Sequence, residues 1–265
     1  MNLLTIRLMH HYSKKKYNET TEKAVADTTC PCKMLEYIRK YDKDAVFITH
    51  SLAPEYSDYI YEQISKFSTD SEYLEKFKQC VEKSLKEKNP NKVNDVAFFL
   101  KPYPDAKLQE RLSWIKPYAS YIGIDIDSYN ILTMRNLVNL EKKTVNQLTE
   151  FRNQFEVPFV IKGVFTDEDL ELVKELKPDV VYISNHGGRV ETRVGSSAEF
   201  LQKHAAELKN YCDEIWVDGG IRTKEDVQTA IFYGADKVIL ARPFIRALFE
   251  DDIAGMEKFA KELFI

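Results

Sequence analysis

The C-terminal half of the chain alternates short, wholly apolar runs with capped amphipathic helices, and this alternation constrains the fold more than any other feature. Phe159-Val160-Ile161 is followed by Thr166-Asp167-Glu168-Asp169, a hydroxyl N-cap with an acid three residues on, which satisfies the open amides of a helix start. Leu170, Val173 and Leu176 then share one helical face, and Lys177-Pro178 ends the helix. Val180–Ile183 is the next apolar run. Ser196 to Glu199 repeats the cap, with Phe200, Leu201, His204, Ala205 and Leu208 on the face that follows. Ile215-Trp216-Val217 leads through Asp218-Gly219-Gly220 to a third cap at Thr223 to Asp226, with Val227, Ala230 and Ile231 turned inward and Gly234 at the stop. Lys237-Val238-Ile239-Leu240 is the last strand, and a closing helix runs to Phe264. Strands with no polar alternation are buried on both faces, and helices between them imply a parallel sheet covered on both sides.

Further strands are predicted at Ala45–Ile48, Ala97–Leu100 and Tyr121–Ile126, and a helix over Glu72–Lys86 with Tyr73, Leu74, Phe77, Val81 and Leu85 on its apolar face. That gives seven strands, one short of a (β/α)8 barrel. The expected fold is α/β, a single domain of the TIM (β/α)8 type, with residues 45–265 forming the barrel and residues 1–44 an irregular or helical extension. Either a strand is hidden around 88–96, or the barrel lacks or distorts one N-terminal β/α unit.

Net charge is −4, and the one run of like charge, Lys14-Lys15-Lys16, reads as solvated surface, so neither a nucleic acid nor a membrane is expected as a partner. No apolar run approaches the roughly 20 residues that span a bilayer. Met1–Met9 is interrupted by Arg7 and makes a poor signal peptide, so a cytoplasmic location is expected. The four cysteines, Cys30, Cys32, Cys80 and Cys212, do not make a disulfide framework in a chain of this length. Cys30-Pro-Cys32 lacks the two-residue gap of zinc and redox motifs, and no metal is expected.

Chemistry in α/β barrels gathers where strands end. Val180–Ile183 delivers Ser184-Asn185-His186-Gly187-Gly188-Arg189 to such an end. Histidine titrates near neutrality and suits a general base, while arginine three residues on can hold a carboxylate with two parallel hydrogen bonds. Taken alone, His-Gly-Gly is more often a turn whose histidine is satisfied by backbone groups. Lys162 projects a fixed positive charge from another strand end. Asp125 and Asp127 alternate along one strand, face one way, and either can orient the base; Asp125 is the favoured choice. Asp218-Gly219-Gly220-Ile221-Arg222 and Ala241-Arg242 offer glycine amides, two guanidinium groups and a helix start to an anion.

Four blocks, Val160-Ile161-Lys162-Gly163, Ile183 to Arg189, Val217 to Arg222 and Ala241-Arg242-Pro243-Phe244, together resemble the FMN-dependent α-hydroxy-acid dehydrogenases and oxidases, the glycolate and lactate oxidase group. The resemblance covers roughly residues 120–250 and thins before residue 95. It implies FMN as cofactor and oxidation of a small 2-hydroxy acid to the 2-oxo acid, with the hydride equivalent passing to the flavin. In its terms His186 is the base and an aspartate on the strand Tyr121–Ile126 pairs with it. Arg189 binds the substrate carboxylate, and Lys162 lies beside the flavin N1/O2 edge. Ser184 also belongs to the cofactor site, and Asp218, Gly219, Gly220, Arg222, Ala241 and Arg242 hold the ribityl phosphate. Ala241 stands where the family has glycine, and keeps the amide provided that positive φ is not required.

The first-strand segment Phe47-Ile48-Thr49-His50-Ser51-Leu52 departs from the family's proline-containing floor under the flavin, and Val190–Ser197 lacks the usual Pro-Ala-Thr continuation. Lys101-Pro102-Tyr103 is the remnant that places Tyr103 near the substrate. These departures keep a second reading in view, a catalytically degenerate FMN- or phosphate-binding barrel with a regulatory or scaffolding role. A third, another phosphate-binding barrel enzyme such as a flavin-dependent isomerase, is disfavoured by the His-Gly-Gly-Arg block. Whether the chain forms a homo-oligomer is left open.

Overall fold

In the computed structural model the described residues are 4–7, 47–50, 96–116, 119–131, 135, 139–188 and 193–264. Eight parallel strands close into a barrel in sequence order. They are β1 (Leu4–Arg7), β2 (Phe47–His50), β3 (Val96–Leu100), β4 (Tyr121–Asp125), β5 (Phe159–Val164), β6 (Val180–Ile183), β7 (Glu214–Val217) and β8 (Lys237–Leu240). The described helices are α1 (Asp105–Ile115), α2 (Val145–Arg152), α3 (Asp167–Leu176), α4 (Ser197–Leu208), α5 (Lys224–Phe232) and α6 (Arg242–Phe264).

Residues 88–95 lie outside the described residues, Val96 opens β3, and the eighth strand of the barrel is found elsewhere. It is β1, which pairs with β8 through Leu4↔Val238 and with β2 through Ile6↔Phe47, so the barrel takes a strand from the segment expected to be an extension outside it. Leu4-Thr5-Ile6-Arg7 alternates apolar and polar residues, the pattern of a half-buried strand rather than of the doubly buried strands elsewhere in this chain. β2 shares Phe47 and Ile48 with the expected strand Ala45–Ile48 and runs on to His50, while Ala45 and Val46 lie outside the described residues. The predicted helix over Glu72–Lys86 lies outside the described residues.

The three helix starts expected from local chemistry are capping boxes: Thr166 with Asp169, Ser196 with Glu199, and Thr223 with Asp226. A fourth, Thr144 with Gln147, starts α2. Each fixes where a helix begins after a strand-end loop, and so limits how far that loop can wander.

Two layers of apolar packing hold the barrel. One lies between strands and helices; the other fills the lumen with Ala97, Phe99, Val160, Val180, Tyr182, Trp216 and Ile239. Lumen residues recur every second position along a strand. On that period Lys101 follows Phe99 and Lys162 follows Val160, so charged groups stand one layer above the aromatic layer. The opposite end is closed by Lys237, whose Nζ donates to Glu214 Oε2 at 2.7 Å and Tyr121 Oη at 2.9 Å and lies over the Trp216 ring at 4.7 Å. Among the described residues, no helix is long and apolar enough to cross a membrane.

Candidate active site

The C-terminal end of β4 turns directly into a 3-10 segment, Ile126–Asn130, held by Ser128 Oγ donating to the Asp125 carbonyl at 2.7 Å. Asp127 therefore sits in this turn, not on the strand. Across the ladder Asp125 is the register partner of Lys162. β5 has a bulge there, with its register against β6 shifting between Lys162 and Val164. Gly163 makes this possible: its φ is +98°, and a Cβ on it would lie 2.4 Å from Asp127 Cγ. Only glycine leaves room for the Asp127 carboxylate against that backbone.

A buried charge cluster results. Lys162 Nζ donates to Asp125 Oδ1 at 2.6 Å and stands 3.6 Å from Asp127 Oδ1. Lys101 Nζ lies 3.8 Å from Asp125 Oδ2. His186 Nδ1 is hydrogen-bonded to Asp127 Oδ2, and its Nε2 is 3.4 Å from Asp125 Oδ2. The residue favoured from sequence as the partner of His186 is Asp125; the short hydrogen bond is to Asp127, while Asp125 pairs with Lys162 and lies 3.4 Å from the other imidazole nitrogen. Burial pushes the Asp127 carboxyl up to about 6, with the neighbouring Asp125 charge adding to the rise and His186 and Lys162 opposing it. Asp125, Asp127 and His186 bring ligand atoms within 4.8 Å of one another, a spacing that suits a cation. The Lys162 ammonium already stands against both carboxylates.

His186 has φ +50°, an uncommon conformation for a residue with a Cβ. Its turn is held by Asn185, whose Oδ1 accepts from Gly187 N at 3.0 Å and Gly188 N at 3.2 Å. Asn185 was not singled out in the sequence, although an Asn two and three residues ahead of paired glycines is a signal of such a turn. Ser184 Oγ accepts from His186 N at 3.4 Å and is fully buried, so it supports the histidine's backbone. Tyr103 is packed in the apolar layer with Lys107 over its ring at 4.9 Å, and Lys101 rather than Tyr103 joins the cluster. Arg189 lies outside the described residues.

Beside His186 opens a cavity of about 830 Å³, lined in part by Asp218, Gly219, Gly220, Arg222, Ala241 and Arg242. Asp218 accepts a hydrogen bond from Tyr182 Oη at 2.7 Å. A Cβ on Gly187 would fall 2.6 Å from Arg242 Nη2, so this guanidinium crosses from the β8 end to lie on the histidine turn. Arg222 and Arg242 have exposed side chains and no carboxylate partner among the described residues. The start of α5 is filled by its own Asp226, which accepts from Arg222 N at 2.8 Å and Thr223 N at 3.0 Å. The helix start left facing the cavity is that of α6, which begins at Arg242. Ala241 has no positive φ, so the alanine that replaces glycine there carries no backbone strain. Lys162, Ser184, Tyr103 and Asp125 do not line the cavity.

A (β/α)8 barrel with a buried acid–base cluster at the C-terminal ends of its strands, and two exposed arginines after β7 and β8 on the cavity beside its histidine, defines the class: a parallel α/β barrel with a polar cavity at that end. The FMN-dependent dehydrogenase family model matches residues 94–264, and the chain belongs to that family. It is 36% identical to human 2-hydroxyacid oxidase 2 over 103 residues, which are 39% of this chain and 29% of that protein. It is 41% identical to an L-lactate dehydrogenase of Xanthomonas oryzae pv. oryzae over 100 residues, 38% of this chain and 26% of that one. The matches thus span less than a third of the length of these curated relatives. Among solved structures, mandelate oxidase with 3,3-difluoro-2-hydroxy-3-phenylpropionic acid aligns with a TM-score of 0.61 at 19% identity, over 97% of this chain and 70% of that one. A flavocytochrome b2 variant with pyruvate bound aligns with a TM-score of 0.60 at 20% identity, over 99% of this chain and 62% of that one. These two likenesses establish the fold.

Proposed function

We propose that the chain binds FMN and oxidises a small 2-hydroxy acid to the corresponding 2-oxo acid. The observation that carries this reading is the placement of His186, tied through Nδ1 to buried Asp127, on the wall of the cavity that ends in Arg222 and Arg242. The residues fit a phosphorylated cofactor: two guanidinium groups without carboxylate partners among the described residues, the Gly219-Gly220 loop and the start of α6 all meet one open space. FMN, when bound, supplies the two-electron acceptor. Arg222, Arg242 and the loop amides of Gly219, Gly220 and Ala241 would hold its phosphate, with Asp218 and Ser184 supporting the loops around it.

His186 takes the hydroxyl proton of the substrate. Nδ1–H donates to Asp127, which fixes the tautomer and leaves Nε2 as the basic nitrogen. Once protonated, the imidazolium has a carboxylate by each nitrogen, Asp127 at Nδ1 and Asp125 3.4 Å from Nε2. Arg189, three residues past the base, clamps the substrate carboxylate in this reading. The test is anaerobic absorption spectroscopy of purified protein given FMN and then lactate or glycolate. Flavin bleaching by a hydroxy acid is expected, and His186→Ala retains flavin and loses bleaching. Protein that does not take up FMN refutes the reading.

A specific observation favours the second reading, a binding barrel without catalysis: Lys162 is 0% exposed and its charge is met by Asp125, away from the cavity wall. FMN that binds but is reduced by no hydroxy acid would select it.

A further inference from the structure

Asp125 is the most connected member of the buried cluster. Its carboxylate reaches Lys162 at 2.6 Å, His186 at 3.4 Å and Lys101 at 3.8 Å. Asp127 already fixes the imidazole, so orienting the base does not account for a second buried acid. Burying a carboxylate is costly unless it is paired, and here the pairing is with the one lysine that shares its ladder register, Lys162. An ammonium alone projects a full charge into its surroundings; with a carboxylate 2.6 Å away it projects a short dipole whose field falls off much faster. Among the described residues the cluster holds Lys101 and Lys162 against Asp125 and Asp127, so it is neutral while His186 is neutral and gains one positive charge when His186 takes a proton.

We propose that Asp125 is a positioning residue that acts through Lys162: behind the His186 wall of the cavity it holds the ammonium at the end of β5 and offsets its charge, and so sets the charge that FMN in that cavity meets across His186 and how readily it accepts electrons. The proposal rests on FMN binding as read above. It divides the work of the two acids, with Asp127 holding the base and Asp125 holding the lysine. Lowering the local positive charge makes a bound flavin harder to reduce, so the acid moderates the site rather than driving it.

Dye-equilibrated redox titration of the FMN-loaded protein tests this, with FMN content and far-ultraviolet circular dichroism recorded for each variant. Asp125→Asn is expected to raise the potential by at least a tenfold change in the reduction equilibrium, about 30 mV for a two-electron couple. Asp125→Glu, which keeps the charge, stays nearer the wild type than Asp125→Asn does. Lys162→Met lowers the potential by a comparable amount, and in that background Asp125→Asn loses most of its effect. An unchanged potential in Asp125→Asn overturns the proposal, and so does a shift that persists in full without Lys162. Loss of the fold or of FMN in both Asp125→Asn and Lys162→Met gives the pair a structural role and overturns it too. Wild-type protein that binds no FMN instead refutes the functional reading beneath it.

Discussion

Gly163→Ala is the substitution for which the structure gives the sharpest expectation. The added methyl falls 2.4 Å from Asp127 Cγ, 2.5 Å from its Oδ1 and 2.6 Å from its Cβ. Carbon atoms pack at about 3.5–4.0 Å, so Asp127 has to retreat by about 1 Å or more. The positive φ of +98° adds its own cost, about 1–2 kcal/mol for a residue with a Cβ. Retreat of Asp127 takes it from His186, and breaking one side of a buried charged pair costs about 3–5 kcal/mol. Together these are about 4–7 kcal/mol, a large part of the stability of a typical domain. At about 2–4 °C per kcal/mol, the thermal midpoint by far-ultraviolet circular dichroism at pH 7 should drop by at least about 8 °C. The control is Asp127→Gly, which removes the clashing atoms altogether; in that background Gly163→Ala should cost only its backbone share. A midpoint for Gly163→Ala within about 3 °C of wild type refutes the packing argument. An equal loss in both backgrounds refutes the part assigned to Asp127.

Other outcomes follow from the same geometry. Because burial holds the Asp127 carboxyl up at about 6 against 3.8 for the free side chain, the native state keeps its proton after the unfolded chain has released it. Stability should therefore fall by about 3 kcal/mol as pH rises from about 4 to about 6, and Asp127→Asn should remove that slope in urea titrations across the range. A slope that survives the substitution rules out Asp127 as its source. Arg242→Ala should weaken FMN retention about 10- to 100-fold, the worth of about 1.5–3 kcal/mol for hydrogen bonds to a charged group, measured by fluorescence titration; unchanged affinity removes it from the phosphate site. Asn185→Ala loses two hydrogen bonds to turn amides and should destabilise the protein by about 2 kcal/mol, and a midpoint equal to wild type would mean that the His186 turn needs no such support.

The parts of this barrel that could be read from sequence are those written locally. Thr166 with Asp169, Ser196 with Glu199, and Thr223 with Asp226 each close a helix start within four residues, and the runs before them are apolar because the strands are buried on both faces. β1 could not be read this way. Its Thr5 and Arg7 break the apolar pattern, and nothing within the segment says that β8, more than 200 residues later, closes on it. The site shows the same division. His186, Lys162 and the two aspartates were visible as residue types at strand ends, but the choice between Asp125 and Asp127 turned on two non-local facts: β4 ends at Asp125, and the bulge at Gly163 opens space for Asp127. Pairing of Asp125 with Lys162 is a matter of ladder register, which no local pattern encodes.

The lumen carries Lys237 near one end and Lys162, with Lys101 beside it, near the other, and the contrast between Lys237 and Lys162 argues for what the upper one does. At the N-terminal ends of the strands, Lys237 meets one carboxylate, Glu214, and two aromatic faces, Tyr121 at 4.6 Å and Trp216 at 4.7 Å. Its single charge is met by that one carboxylate. At the C-terminal ends, Lys162 meets two carboxylates, and those carboxylates also flank an imidazole whose backbone is held at φ +50°. Strained backbone and a second buried acid are both costs to the fold, and a close-packed apolar layer would have closed that end at least as well. What such a layer lacks is the capacity to accept a proton on His186 with a counter-charge already in place at each nitrogen. The lower lysine therefore reads as a plug for the barrel, and the upper one as part of a charge balance arranged around the histidine.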